Sequence, residues 1–403
     1  MGKSILFIST MYPNPLRPGT KVCHYFTKHW VDMGNDVIVI HFRSMFPQIF
    51  YEIAKLFPKL RNKYVRSKVK LDNNRKVVVF EEDKIPVYSI PIFKFFPHGK
   101  YSKKTIEKKI TEIVSILGKR NFTPDIIIGH FYNPQLEIVS RLKRIYPNAK
   151  TCVTLHENSE LIYDVYGDDA KRIVNSIDTI GCRSYPIMKS FEKNFGVDHK
   201  RFLCWSGTPE YFLNQQLSEE RHFSDGPMKN YIYVGDLINR KFPKQTIEGV
   251  HKAMGNSVFS FVYVGAQDVA FKETAEYIES NNLDEKVAFT GKIPRSEIVR
   301  YYDKSDCFIL ISKSEVFGLV YLEAMARGCI TIASRNEGME GIIEHGVNGF
   351  LCEAGNAEEL AALIKSINNL TSDEKRVIST RAKDKAFELS DHNVAKRYLD
   401  NVI

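Results

Sequence analysis

Short apolar runs alternate along this chain with stretches in which apolar residues recur at helical spacing. Ile5 to Ser9 reads as a strand, His24 to Met33 as a helix closed by Gly34-Asn35, and Val37 to His41 as the next strand. Later, Asp125-Ile-Ile-Ile-Gly129 and Thr151-Cys-Val-Thr-Leu155 are strands, each followed by a helical pattern. The second half repeats the plan, with strands at Tyr231 to Val234, Phe259 to Val264, Val287 to Thr290, Cys307 to Ile311 and Ile330 to Ala333. Runs apolar on both faces are those of parallel strands covered by helices on both sides. The alternation predicts an α/β fold with a doubly wound parallel sheet in each half.

Residues 206–228, from Ser206-Gly-Thr-Pro209 to Gly226-Pro227, are polar and rich in turn residues and read as a linker. The expected domains are therefore 1–205 and 229–385. The tail from Asp373 to Ile403 is a long charged helical pattern broken near Leu389-Ser-Asp-His392.

At 403 residues the chain exceeds what one core organises, which agrees with two domains. Its seven cysteines are scattered singly at 23, 152, 182, 204, 307, 329 and 352, mostly in apolar runs. No CxxC or Cys/His cluster appears in the sequence, so neither a structural zinc nor a disulfide framework is suggested, and a reducing cytoplasm is expected. The first apolar run is too short to span a membrane and lacks a signal-peptide cleavage pattern.

Charge is uneven. Residues 1–205 hold 34 Lys and Arg against 19 acids, a net of +15, while residues 206–403 hold 23 against 29, a net of −6. Much of the excess lies in residues 43–76, with ten basic residues against two acids, interleaved with Phe46, Phe50, Tyr51, Phe57 and Tyr64. Residues 92–109 repeat the mixture. No nucleic-acid module motif accompanies them, so no nucleic acid is expected as a partner. Two readings stay open: an anionic membrane surface met through these stretches, or a solvated basic face.

The densest chemistry lies at Glu315-Val-Phe-Gly-Leu-Val-Tyr-Leu-Glu-Ala-Met-Ala-Arg-Gly328. A buried strand leads into a polar loop, and Leu319 to Arg327 has good helix formers closed by Gly328. Gly318 sits where loop becomes helix. The unpaired N–H groups and positive dipole end of a helix, with a glycine that lets an anion approach, make a phosphate site. Glu315 and Glu323 bracket it. Carboxylates repel phosphate and accept from hydroxyls, so a phosphate flanked by hydroxyl-binding acids points to a nucleotide sugar.

This stretch resembles the Glu-x7-Glu signature of retaining GT-B glycosyltransferases, in particular glycosyltransferase family 4. Phe317-Gly318-Leu319 follows the first Glu, and Ala-Met-Ala-x-Gly follows the second. Cys329-Ile-Thr-Ile-Ala-Ser334 and Gly346-Val-Asn-Gly-Phe-Leu351 continue the match. The resemblance covers essentially the whole chain, strongly from 230 to 365 and weakly before 150. It implies two Rossmann-like domains facing a cleft, with a last helix, about 386–403, packing back on the first. It also implies transfer of a sugar from a UDP- or GDP-linked donor to a hydroxyl of a glycan or lipid-linked acceptor, in bacterial surface polysaccharide or glycolipid assembly, with the enzyme cytoplasmic or peripheral on the inner membrane face.

Residue by residue, Tyr233-Val-Gly-Asp-Leu-Ile-Asn-Arg-Lys241 resembles the strand and loop that carry an Arg and a Lys onto the donor diphosphate. Lys241 falls on the family's lysine. The arginine position after Gly235 is Asp236, so Arg240 is either the replacement cation or a solvated residue. Val287-Ala-Phe-Thr-Gly-Lys-Ile-Pro294 resembles the segment near the base, which makes Lys292 a donor-side candidate. In Asn336-Glu-Gly-Met-Glu-Gly341 the family glutamate falls on Gly341, and Glu340 receives no role. Tyr12 to Thr20 replaces the family's glycine-rich loop and keeps only Gly19. His156 resembles the histidine that holds a donor-sugar hydroxyl, and His130 is a weaker candidate near the acceptor. No Asp-x-Asp occurs, so no metal-diphosphate site and no cofactor are expected. A sugar-nucleotide epimerase of the same fold and a non-catalytic donor-binding partner subunit remain as alternatives.

Overall fold

The computed structural model describes residues 2–15, 21–49, 51–52, 74–95, 99–213 and 222–403. Gly19 and residues 53–73 of the basic stretch lie outside the described residues. The chain forms two compact units. One comprises Met1–Arg183, Ile187–Cys204 and Val394–Ile403, and the other Ser184–Pro186 and Trp205–Asn393.

In the first unit eight strands form one sheet: β1 (Ser4–Ser9), β2 (Asp36–Met45), β3 (Val78–Glu82), β4 (Ile85–Phe93), β5 (Ile126–His130), β6 (Lys150–Leu155), β7 (Thr179–Cys182) and β8 (Arg201–Leu203). Their order is β3-β4-β2-β1-β5-β6-β7-β8, parallel throughout except for the β3/β4 hairpin. Ile5 to Ile8 are fully buried, as a strand covered on both faces requires. Register pairs Ser9 with His130 and His130 with Thr154, so the last residues of β1 and β5 stand level. The helix Asp391–Val402 ends in this unit, where Trp30 Nε1 donates to the Ala395 carbonyl at 2.9 Å and the buried Tyr398 hydroxyl lies 2.7 Å from Thr154 Oγ1.

Among the described residues the second unit holds six parallel strands: β9 (Asn230–Val234), β10 (Ser260–Val264), β11 (Val287–Phe289), β12 (Cys307–Leu310), β13 (Ile330–Ser334) and β14 (Phe350–Cys352), in the order β11-β10-β9-β12-β13-β14. Numbered within the unit this is 3-2-1-4-5-6, the order of dinucleotide-binding sheets. The α/β, two-sheet expectation holds. The helix Ser372–Glu388 opens with a capping box between Thr371 and Glu374 and stops before Ser390, where the sequence pattern breaks.

The structure departs from the sequence reading in three places. The β3/β4 hairpin was not expected: its turn is Asp83-Lys84, both at positive φ, and carries no glycine to signal it. Residues 206–228 are not simply a polar connection. Glu210–Leu213 is helical, Phe212 is fully buried, and its carbonyl accepts from Arg327 Nη1 at 3.2 Å. The described parts of the two basic stretches are also less exposed than their composition suggests. Arg43 lies in β2 with its guanidinium buried against the Asn74 and Lys76 carbonyls, and Tyr51, Ile92, Tyr101 and Lys109 are buried. Ile49, Phe93, Phe95, Lys100, Lys103, Lys104 and Lys108 stay exposed. Among the described residues, no helix is long and apolar enough to cross a membrane.

Candidate active site

In the second unit the chain winds one way from β9 and the other way from β12, and these strands are neighbours. The carboxyl ends of such a pair flank the crevice where open α/β sheets bind ligands. The loops leaving β9 and β12 are tied directly, with the Lys313 N–H donating to the Arg240 carbonyl at 2.8 Å. This brings Arg240 Nη1 to 3.3 Å from Glu315 Oε2. Ser312 Oγ lies 3.5 Å from the same oxygen, and the Glu315 backbone N–H donates to Glu337 Oε2 at 2.8 Å.

Lys241 ends the 3-10 turn Asn239–Lys241. Its ammonium lies against Gly235, where a Cβ would fall 2.7 Å from Nζ. Burial lowers its pKa, and the nearby Glu315 carboxylate opposes that shift. A half-buried ammonium that has lost part of its water gains from an incoming anion.

Gly318 precedes the helix Leu319–Ala326 at φ 80°, and a Cβ there would strike the Tyr321 ring at 2.4 Å, so no other residue fits. Tyr321 braces the turn by donating to the Leu310 carbonyl at 2.7 Å. Phe317 is buried, and Leu319 is half-buried at the helix start.

Glu323, on that helix, is almost wholly buried. Arg295 Nε donates to its Oε1 at 2.7 Å and Nη2 donates to the same oxygen, while the Tyr302 hydroxyl lies 3.3 Å from Oε2. Burial raises the Glu323 pKa, and the Arg295 charge pulls it back.

The other candidates are placed as follows. Asp236 accepts the Ala266 N–H at 3.1 Å and so braces the loops after β9 and β10. Lys292 is exposed beyond β11. Glu340 accepts the Asn336 N–H at 3.0 Å, a turn-closing bond. Ser312, Glu337, Arg295 and Tyr302 were not singled out from the sequence. Ser312 shares the loop of Glu315 without a telling spacing, and only the strand order brings Glu337, Arg295 and Tyr302 near the two glutamates.

In the first unit, His130 ends β5 and His156 follows β6. His130 Nδ1 lies 3.0 Å from His156 Nε2, and Cys23 Sγ lies 3.6 Å from His130 Nδ1. Burial holds both imidazoles well below their ordinary pKa, with the Arg183 cation adding to the effect, so both are neutral at pH 7. His156 thus turns one ring nitrogen inward rather than standing alone at a strand end.

Residues 214–385 match the family model for glycosyl transferases group 1. The amylovoran biosynthesis glycosyltransferase AmsK of Erwinia amylovora is 25% identical, over 96% of this chain and 97% of that protein. Among solved structures, sucrose-phosphate synthase from Thermosynechococcus elongatus aligns with a TM-score of 0.67 at 17% identity, covering 99% of this chain and 98% of that one. HepE from Anabaena in complex with UDP aligns with a TM-score of 0.65 at 18% identity, covering 98% of each chain. At these identities the structural likeness speaks for the GT-B fold alone. Residues 214–385 are similar to the group 1 glycosyl transferases, and the chain that carries them is a glycosyltransferase.

Proposed function

We propose that the chain moves a sugar from a UDP- or GDP-linked donor to a hydroxyl of a glycan or lipid-linked acceptor, with retention at the anomeric carbon, as a member of glycosyltransferase family 4. The observation that carries this reading is the convergence of Glu315, Lys241 and the Gly318 helix start at the β9/β12 crevice. Lys241 and the helix N-terminus neutralise the departing diphosphate, the lysine following charge as it builds. Arg240 steadies Glu315 and offers a second cation. Glu315 accepts from a donor-sugar hydroxyl. Glu323, with Arg295 and Tyr302 on its oxygens, keeps lone pairs for the ribose hydroxyls. His156 takes a further sugar hydroxyl. The acceptor attacks from the face the diphosphate leaves and gives its proton to the leaving phosphate. The charge needed comes from side chains and the helix end, so no metal or organic cofactor is required.

AmsK is named for amylovoran biosynthesis, and HepE was solved with UDP. The AmsK name favours a role in polysaccharide assembly, and the HepE complex is compatible with a UDP-linked donor. In this reading the enzyme works in the cytoplasm, with the exposed lysines and aromatics of 92–109 against the anionic inner leaflet. The test is nucleoside diphosphate release from a panel of UDP- and GDP-sugars, with and without acceptor. Release should depend on acceptor and fall ten- to hundredfold in Glu315→Gln, about 1.5–3 kcal/mol for a lost charged hydrogen bond. Conversion of the donor to an epimeric sugar nucleotide without acceptor and without net diphosphate release would favour an epimerase, and an unaffected Glu315→Gln would remove the assignment.

A further inference from the structure

We infer that Cys23, His130 and His156 form a binding site for a zinc-class divalent cation in the first unit. The three residues are far apart in sequence and are brought together by the sheet. His130 ends β5 level with Ser9, the last residue of β1, and β6 runs alongside to deliver His156. Cys23 lies near the start of the helix Val22–Asp32 that follows β1. One ligand atom from each lies within 4.8 Å of the others.

The spacing suits a tetrahedral ion. With Zn–N of about 2.0–2.1 Å and Zn–S of about 2.3 Å, the tetrahedral edges are about 3.4 Å for N···N and about 3.6 Å for S···N. The observed His130 Nδ1 to His156 Nε2 distance is 3.0 Å, and Cys23 Sγ to His130 Nδ1 is 3.6 Å. The His130–His156 edge needs to open by a few tenths of an ångström, and the third edge, Cys23 to His156, lies within 4.8 Å. The rings are already held. Phe7, Phe26 and Tyr398 pack on His130 at 5.0, 5.7 and 5.8 Å, and Phe131 stacks on His156 at 4.0 Å. Cys23 and His130 are buried, whereas His156 is half-buried and supplies the way in.

Hydrogen bonding at His130 Nδ1 alone serves only one of its two neighbours at a time. His130 Nδ1 has one position to give, a proton or a lone pair, and two neighbours, Cys23 Sγ and His156 Nε2. If Nδ1 is an acceptor, two donors compete for one lone pair. If it is a donor, it serves one neighbour only. A cation replaces the thiol proton, which leaves to solvent, and takes one lone pair from each imidazole. The Ser9 hydroxyl, 3.8 Å from Cys23 Sγ, supports the thiolate so formed by turning its proton from the Met11 carbonyl. The Arg183 charge also favours the thiolate while opposing the added cation, which limits the affinity. The fourth position falls to water.

Metal on His156 Nε2 would immobilise that imidazole, so Zn²⁺ should inhibit sugar transfer. This consequence rests on the role proposed for His156, whereas the site itself does not. The first experiment is a Co²⁺ titration of the full chain, reading the near-ultraviolet thiolate-to-cobalt absorption. Zn²⁺ calorimetry in two buffers of different ionisation enthalpy would then count the released proton. Wild type should show the cobalt band and release one proton per zinc. Cys23→Ser should lose the band, and both Cys23→Ser and His130→Asn should bind zinc at least about tenfold more weakly. Absence of the band from the unmodified chain would overturn the site, whatever the variants do on folding. So would equal zinc affinity in wild type and a folded Cys23→Ser. Zinc should slow transfer by wild type and spare Cys23→Ser. If no transfer is found at all, the functional reading fails, while the cobalt and zinc titrations still decide the metal site.

Discussion

Replacing Arg295 with Ala would leave the Glu323 carboxylate buried with the Tyr302 hydroxyl but without its cation. The side chain of Glu323 is 1% exposed and that of Arg295 33%. Removing one partner of a buried ion pair costs about 3–5 kcal/mol. Water reaches Arg295, so the low end, about 3 kcal/mol, applies. For a unit of roughly 150–250 residues each kcal/mol moves the midpoint by about 2–4 °C, so the second unit should melt about 6–12 °C earlier at neutral pH. The pH dependence has a definite sign. Burial raises the Glu323 pKa and Arg295 lowers it, so the variant's carboxyl titrates higher still. A carboxyl whose folded pKa exceeds its unfolded value binds more protons when folded. Stability therefore rises as pH falls through that window and is lost as pH rises through it. The deficit of Arg295→Ala relative to wild type should shrink on acidification, and Arg295→Ala/Glu323→Gln should regain most of it at neutral pH. Differential scanning calorimetry at neutral and mildly acidic pH reads all of this. A variant melting with wild type at neutral pH, or losing further ground on acidification, would refute the buried-pair argument.

Lys241→Ala should weaken nucleoside diphosphate binding and transfer together, since one charge serves both, whereas EDTA should leave the wild-type rate unchanged or raise it. Rates abolished by EDTA and restored by Mg²⁺ or Mn²⁺ would overturn the metal-free reading. The chain should sediment with anionic vesicles at low salt and not with neutral ones, because each basic residue near an anionic surface contributes about 1 kcal/mol and several lysines from 100 to 108 are exposed. No sedimentation with either vesicle would leave these lysines as a solvated face.

The strands that carry the site were legible because they are apolar on both faces and end in turns. Ile5 to Ser9, Cys307 to Ile311 and Ile330 to Ala333 were placed to within a residue or two. The β3/β4 hairpin was not, since Asp83-Lys84 adopts positive φ without the glycine that advertises such a turn. Phe212 was hidden because one buried aromatic among turn residues has no period to betray it. The Gly318 turn was readable because its chemistry is local: loop, glycine and helix follow one another. The partners of the two glutamates were not. Arg295 reaches Glu323 across 28 positions, and Glu337 meets Glu315 across 22. The isolated cysteines gave no cluster in sequence, yet 107 positions separate two groups that stand 3.6 Å apart.

Both sheets concentrate their chemistry where the strand order reverses, β1 beside β5 in one and β9 beside β12 in the other. At such a reversal the connections diverge to opposite faces, and the residues past the strand ends lose their ladder partners. Side chains there can answer to each other as well as to a packed layer. In the second unit the result is an ammonium, a guanidinium and a carboxylate held by the Lys313–Arg240 backbone bond. In the first unit it is two neutral imidazoles and a thiol under aromatic rings. The first set is charged and suits an anion flanked by hydroxyls. The second is neutral, soft and rich in lone pairs, which suits a cation or a hydroxyl donor. The same topology thus yields two sites of opposite electrostatic preference, and the ion that should disturb the imidazole site is not one that the diphosphate site calls for.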